Sequence, residues 1–400
     1  MKILFLNSMY PPEIVGGAEV SVSLLAEALV RRGHEVATVC LHKGKSDVVD
    51  ELKGVRVYRL PIENIYWPFG DERKRPPLQR LIWHLRDTWN SKAARRFGEI
   101  LDTEKPDVVH TNNLTGFSVC SWLEARRRKI RIVHTLRDYS LICKRSMLFK
   151  NGHTCWTRCV SCAAMTAPSL YSCRMVDAVA SNSRFVLERH IKCGYFQGVP
   201  RRVIYNIANL DERSGVPRSV SSDLVFGFIG RVELEKGIDI VLKATELLPD
   251  SGWRLKIAGR GMEGYVRDLR KKYQSSRIDW LGFTRGQDFY AAIDVCVVSS
   301  VWPEPLPRTL IESMEAGRPT ICSTAGGIPE ISDMSALIGS YEPNDYQGLA
   351  ALMMKAIGES RRWKETHPMQ PSFAEKFSPD AIVNQYLELY TSKDLKVIKI

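Results

Sequence analysis

Short apolar runs alternate with helical periods twice along this chain, once in each half, and that grammar constrains the fold more than any other feature. Residues 3–7 form the first run, suited to a buried parallel strand; Val20, Leu24 and Ala28 then recur at helical spacing until Gly33 stops the helix. Residues 36–40, 107–110 and 130–134 continue the series as strands. The second half starts again with strand 224–229, helix 238–248, strand 254–258, strand 295–299, helix 308–316 and strand 320–323. Strands separated by helices pair in parallel, so the expected class is α/β, with two doubly wound domains facing a cleft. Ligands of such sheets sit outside the carboxyl ends of the strands.

Four hundred residues accommodate two such domains. Asp, Ser, Gly and Pro cluster within 206–222, which places the boundary there. The expected division is 1–205, 206–378 and a closing helix in 379–400 that packs back on the first domain. Charged residues at 26% and hydrophobic residues at 44% are ordinary for a globular chain and argue against disorder. No apolar run approaches the roughly 20 residues that a spanning helix needs. The first residues lack the apolar core and small-residue site of a leader, so the expected location is cytoplasmic. The net charge of +12 is one-sided: residues 1–200 carry 31 Lys and Arg against 19 Asp and Glu, and residues 201–400 carry 26 of each. A basic half suits an anionic partner: nucleic acid, anionic lipid or a phosphorylated substrate.

Three motifs could carry chemistry. Gly16-Gly17-Ala18-Glu19 stands between the first strand and the first helix, where paired glycines and free helical N–H groups suit a phosphate, or simply form a turn. Gly230-Arg231 and Glu235-Lys236-Gly237 follow the strand 224–229. Arg231 and Lys236 beside a helix start can neutralise a diphosphate, or they are solvated surface charges. Glu304 and Glu312 bracket the start of the helix after Pro307. Ionised carboxylates accept from sugar or ribose hydroxyl pairs; the alternative is a helix cap and a solvated side chain.

The order of these motifs, with Gly259-Arg260-Gly261 and Gly326-Gly327-Ile328-Pro329-Glu330 between and after them, resembles the family 4 glycosyltransferases of the GT-B fold over nearly the whole chain. The resemblance implies two Rossmann-like domains and a retaining hexosyltransferase that needs no catalytic divalent ion. It further implies that Arg231 and Lys236 hold the diphosphate of a nucleotide sugar, Glu312 the ribose, and Glu304 the transferred hexose. Gly16 and Gly17 would close on the distal phosphate. Two departures stand out. Leu306-Pro307 replaces the family's usual Phe-Gly, and Pro307 has no N–H to give a sugar. Arg137-Asp138 replaces a His-Asp pair; Arg stays charged, so Arg137 takes an electrostatic or acceptor-binding role and Asp138 orients or deprotonates an acceptor hydroxyl.

Cys143, Cys155, Cys159 and Cys162 follow directly, with spacing that can wrap a structural zinc or an iron–sulfur cluster; His153 is a substitute ligand, and four reduced thiols are the alternative. Residues 73–97 carry eight basic residues and one acid, with Leu78, Leu81, Ile82, Leu85 and Trp89 on one helical face. Such a helix lies on an anionic membrane surface or packs in a core with a solvated basic side. Residues 126–129 add a second basic run.

These readings converge on a metal-independent glycosyltransferase, peripheral on the inner face of a membrane, moving a hexose to a lipid-linked or surface-glycan acceptor in polysaccharide biosynthesis. The rivals are a sugar-nucleotide epimerase on the same fold, a donor-binding protein without turnover, and a nucleic-acid-binding protein. The last lacks any recognised binding motif, so no nucleic acid is expected as a partner.

Overall fold

The computed structural model describes residues 1–70, 75–208, 221–365 and 371–392. Arg73, Lys74 and most of the 206–222 linker lie outside the described residues. The chain forms two compact units. The first comprises residues 1–148, 155–207 and 379–400; the second comprises 149–154 and 208–378.

In the first unit the strands are β1 (Lys2–Leu6), β2 (Glu35–His42), β3 (Val48–Leu52), β4 (Val55–Pro61), β5 (Val108–Thr111) and β6 (Arg131–Leu136), and, beyond the short hairpin of β7 (Phe149–Lys150) and β8 (His153–Thr154) that belongs to the second unit, β9 (Ala178–Ser181) and β10 (Arg201–Val203). They form one sheet without the hairpin, in the order β10-β9-β6-β5-β1-β2-β4-β3. All neighbours are parallel except β3, which returns antiparallel on β4 through Lys53 and Gly54, both at positive φ. The order reverses between β1 and β5, and the loops after β1, β5 and β6 open at that carboxyl edge.

Its helices are α1 (Gly17–Arg31), α2 (Pro77–Thr88), α3 (Ser91–Glu104), α4 (Cys120–Arg127), α5 (Val160–Met165), α6 (Ala167–Ser172) and α7 (Arg184–Lys192). A helix spanning Pro379–Thr391 closes the unit. Its Ile382, Val383, Tyr386 and Leu389 join the core that α1 and the sheet build from Val22, Leu25, Leu29, Ile3 and Phe5. His110 on β5 is fully buried between Tyr390 Oη and Thr135 Oγ1, at 2.7 Å from each, and burial holds its imidazole well below the usual range.

The second unit carries β11 (Leu224–Ile229), β12 (Trp253–Ala258), β13 (Ile278–Gly282), β14 (Val295–Val298), β15 (Thr320–Ser323) and β16 (Leu337–Tyr341). They form an all-parallel sheet in the order β13-β12-β11-β14-β15-β16, a doubly wound arrangement whose reversal lies between β11 and β14. Near-continuous apolar runs such as Leu224–Ile229 form these strands because helices cover both faces of a parallel sheet. The helices that bear on the site are α8 (Ile238–Thr245), α9 (Glu263–Lys272), α10 (Gly286–Ala291) and α11 (Arg308–Glu315). Among the described residues no helix is long and apolar enough to cross a membrane.

Candidate active site

In the second unit the site builds at the β11–β14 reversal. The loop after β11 carries Arg231 and Lys236 and ends at Gly237, whose φ of +71° and close approach admit no side chain: a Cβ there would lie 1.9 Å from the Ser299 carbonyl oxygen. The loop is stitched to the segment after β14, since Val301 N–H donates to Glu235 O at 2.9 Å and Ser299 Oγ to Lys236 O at 2.9 Å. Lys236 therefore reaches Glu304 from a fixed base. Glu304 is buried, and its Oε2 accepts from Lys236 Nζ at 2.6 Å, Trp302 Nε1 at 2.7 Å and Ser300 Oγ at 2.8 Å. Three donors on one oxygen fix the carboxylate plane and leave Oε1 as the acceptor available to a further hydroxyl. Behind it, Gly327 N–H donates to Glu304 O at 2.8 Å, and Gly326 at φ +64° lets the two backbones touch.

Glu312 lies on α11, one turn in from Pro307, and its carboxylate accepts from Arg308 Nε at 3.2 Å. The Tyr290 hydroxyl approaches its other oxygen at 3.5 Å. Arg231 is half exposed and ion-paired with Glu233 at 2.7 Å, with Glu235 at 4.0 Å. Burial pushes the Glu233 carboxyl up to about 7 in spite of that guanidinium.

In the first unit Gly16 and Gly17 open α1 and are exposed. Gly16 N–H is taken by Glu19 Oε2 at 2.8 Å, which shapes the turn. Glu19 is buried, and burial, with a smaller contribution from the Asp138 charge, raises its carboxyl above the usual range. Arg137 and Asp138 follow β6. Arg137 donates through Nε to Asn112 Oδ1 at 2.8 Å and through Nη1 to Asn206 Oδ1 at 2.7 Å. Asp138 accepts from Ser140 N–H at 2.7 Å and from Asn113 Nδ2 at 2.8 Å, and burial raises its carboxyl. Gly16, Gly17, Arg137 and Asp138 thus share the carboxyl edge of one sheet, and Arg231, Lys236, Glu304 and Glu312 share that of the other.

The metal expectation needs correction. Among the described residues no three or more His, Cys, Asp or Glu side chains come together to hold an ion. None of the four cysteines of the cluster is in a disulfide. Cys143 and Cys162 are buried with sulfurs 4.0 Å apart, whereas Cys159 is exposed at the start of α5 and bonds Ser161 Oγ at 3.4 Å. Cys155 and His153 do not complete a shell with them. The cluster is a thiol pair beside an exposed third thiol: hydrogen bonds from Ser161 and the α5 backbone bring Cys159 down to about 7, while burial pushes Cys162 up to about 12.

Several site residues have no role in the sequence reading: Ser300, Trp302, Asn112, Asn113 and Asn206. Each stands just past a strand end, and that position was the available signal.

The family model described as Glycosyltransferase Family 4 matches residues 15–212, and the one described as Glycosyl transferases group 1 matches 223–358. A 42.6 kDa protein in the cps region of Klebsiella pneumoniae is 32% identical, covering 98% of this chain and all of its own length. A glycosyltransferase of Methanocaldococcus jannaschii is 27% identical over 83% of this chain and 82% of its own. Among solved structures, Anabaena HepE in complex with UDP and glucose superposes with a TM-score of 0.71 at 19% identity, covering 98% of this chain and 100% of HepE. Sucrose-phosphate synthase from Thermosynechococcus elongatus gives 0.72 at 20% identity, covering 97% and 98%.

Proposed function

This chain belongs to the family 4 glycosyltransferases of the GT-B fold, and we propose that it moves a hexose from a nucleotide diphosphate sugar to a lipid-linked or surface-glycan acceptor, with retention at the anomeric carbon. The observation that carries the donor reading is the Glu304 carboxylate, pinned by three donors through one oxygen and left with the other.

Glu304 Oε1 accepts from hydroxyls of the hexose. Lys236, already against that carboxylate, and Arg231, on the same loop, meet the charge that develops on the departing diphosphate; two fixed protein cations there serve in place of a divalent ion. Glu312 accepts from the ribose hydroxyls. The likeness to HepE, whose structures hold UDP and UDP-glucose, supports a UDP sugar as the donor. In the first unit, Gly16 and Gly17 bring a ligand close to the start of α1, where the Gly17 amide suits an anionic oxygen, the Gly16 amide being held by Glu19. Asp138, with its carboxyl raised by burial, orients the acceptor hydroxyl, and Arg137 supplies a fixed positive charge beside it. The likeness to a cps-region protein supports a cell-surface glycan as the acceptor.

The test is a panel of UDP-, GDP-, ADP- and dTDP-sugars scored by thermal stabilisation and slow donor hydrolysis, with Lys236→Ala and Glu304→Gln alongside. One donor should stabilise and be hydrolysed by the wild type, and each variant should lose roughly a hundredfold or more in hydrolysis. Equal hydrolysis by the variants would overturn the assignment. Donor turnover to a second sugar nucleotide without acceptor would point to an epimerase.

A further inference from the structure

Helix α2 is packed inside out for a core helix. Leu78, Leu81, Leu85 and the following Trp89 are 45–67% exposed. Of its large apolar side chains only Trp83 turns inward, where its Nε1 donates to Tyr66 O at 3.0 Å. The segment of α5 and α6 lies against it: Thr88 Oγ1, at the end of α2, donates to Met165 O at 3.2 Å, and the two helices pack. That segment also presents its apolar side chains outward, with Trp156 at 66%, Tyr171 at 76% and Val160 at 85% exposed. Four of the five most exposed large hydrophobic side chains described in the protein, Val160, Tyr171, Leu78 and Trp156, belong to this one region. A chance scatter of surface apolar residues would not gather them so.

The two segments that carry them are one-sided in charge along the sequence. Between Asp138 and Asp177 the sequence holds no acidic residue, and between Arg75 and Gly98 it holds only Asp87. Asp87 spends its carboxylate on Gly116 N–H. Arg80, Arg86, Arg145 and Arg174 are exposed and make no ion pair with a described residue.

We propose that α2 and residues 156–171 form one composite surface that docks on an anionic lipid bilayer, with the Trp, Tyr and Leu side chains entering the interface and the arginines meeting lipid phosphates. Charge decides the occupant. A second copy of the chain packed isologously on this face would set these arginines against their own symmetry mates. An anionic leaflet complements both the apolar centre and the basic border. The surface lies in the first unit and does not rest on the donor-site assignments, so the two can fail separately.

The experiment is co-sedimentation of the full chain with phosphatidylcholine vesicles, with and without phosphatidylglycerol, across a salt series. Light scattering reports the oligomeric state. Two variant sets are compared: Leu78→Ser with Leu85→Ser on α2, and Val160→Ser with Tyr171→Ser on the second segment. All four positions are exposed, so thermal stability and donor binding should stay at wild-type values. The expected result is binding only to anionic vesicles, weakening with salt, and lost roughly tenfold or more in each set. Arg80→Gln with Arg174→Gln should lower affinity roughly fivefold per charge at low salt and flatten the salt dependence. No binding to anionic vesicles at low salt would overturn the proposal. So would binding lost in the α2 set alone, or dimers that these substitutions dissociate.

Discussion

At the scale of single residues, the Lys236, Trp302 and Ser300 contacts to Glu304 act together. Trp302→Phe keeps the ring beside Lys236, whose Nζ sits 5.4 Å from its centroid, and removes only the indole N–H. The carboxylate then has two donors instead of three. Expected are a loss of roughly 5–20-fold in kcat/KM and a stability change of about 1 kcal/mol, read by steady-state kinetics and thermal melts. Unchanged kinetics would mean that Trp302 packs but does not orient. Cys159 gives a second residue-scale expectation. With its thiol near 7 and exposed, it should be the first cysteine alkylated by limiting iodoacetamide, at a rate that rises with pH around that value, as peptide mass spectrometry would show. The charged site residues were legible because Lys, Arg and Glu beside glycine at strand ends have few structural reasons to be there. Asn112, Asn113 and Asn206 were not legible: Asn is an ordinary loop residue, and only the fold brings 112 and 206 to one guanidinium.

At the scale of elements, the site depends on two loops held against each other. Gly237→Ala would drive a methyl into the Ser299 carbonyl and force a left-handed residue, so Lys236 must move. The expected outcome is a loss of about 2–4 kcal/mol in stability together with donor hydrolysis, whereas Lys236→Ala should lose hydrolysis alone. Comparing their denaturant midpoints separates the two. Helix α2 carries a different expectation. Burial pushes the Asp87 carboxyl up to about 7, against roughly 4 in an unfolded chain. The folded state therefore takes up a proton first as pH falls, and this group's contribution is present below pH 4 and is lost as pH rises through 7. Asp87→Asn should stabilise the protein at pH 8 by roughly 1–3 kcal/mol more than at pH 5. A gain independent of pH would assign the effect to packing. Strands β11 and β15 were legible residue by residue because a buried parallel strand is a continuous apolar run. The β3–β4 hairpin was not, since β3 is exposed on the sheet edge and its sequence Val-Val-Asp-Glu-Leu has no buried face to impose a pattern. The cysteines were legible only in part: spacing in sequence says which thiols could meet, and the fold buries Cys143 and Cys162 with their sulfurs 4.0 Å apart while Cys159 stays exposed beside them.

At the scale of the whole molecule, the chain leaves its first unit at residue 207 and returns to it at Pro379. The last helix is therefore a late-arriving wall of the first core. It is fastened by more than apolar contact. Arg131 donates to the carbonyls of Leu389 and Ser392, Arg32 pairs with Asp380 at 2.6 Å, and Tyr390 Oη meets His110 inside. These bonds differ in what they are worth. The Arg32 pair is exposed and contributes at most about 1 kcal/mol. The His110 contact is buried, and losing it strands a ring nitrogen where no water reaches, so Tyr390→Phe should cost about 1–3 kcal/mol, roughly that of a buried unsatisfied polar group. Arg32→Gln should cost much less. The same helix offers a check on pH. His110 is held neutral by burial, so its contribution is present above pH 6.5 and is lost as pH falls. If Tyr390→Phe acts through that histidine, a His110→Gln background should absorb most of its effect, and a double-mutant cycle read by denaturant unfolding at pH 7 should give a coupling of about 1 kcal/mol or more. Additive losses would mean that the tyrosine ring, packed beside Tyr386 and His110, holds the helix by its apolar area alone.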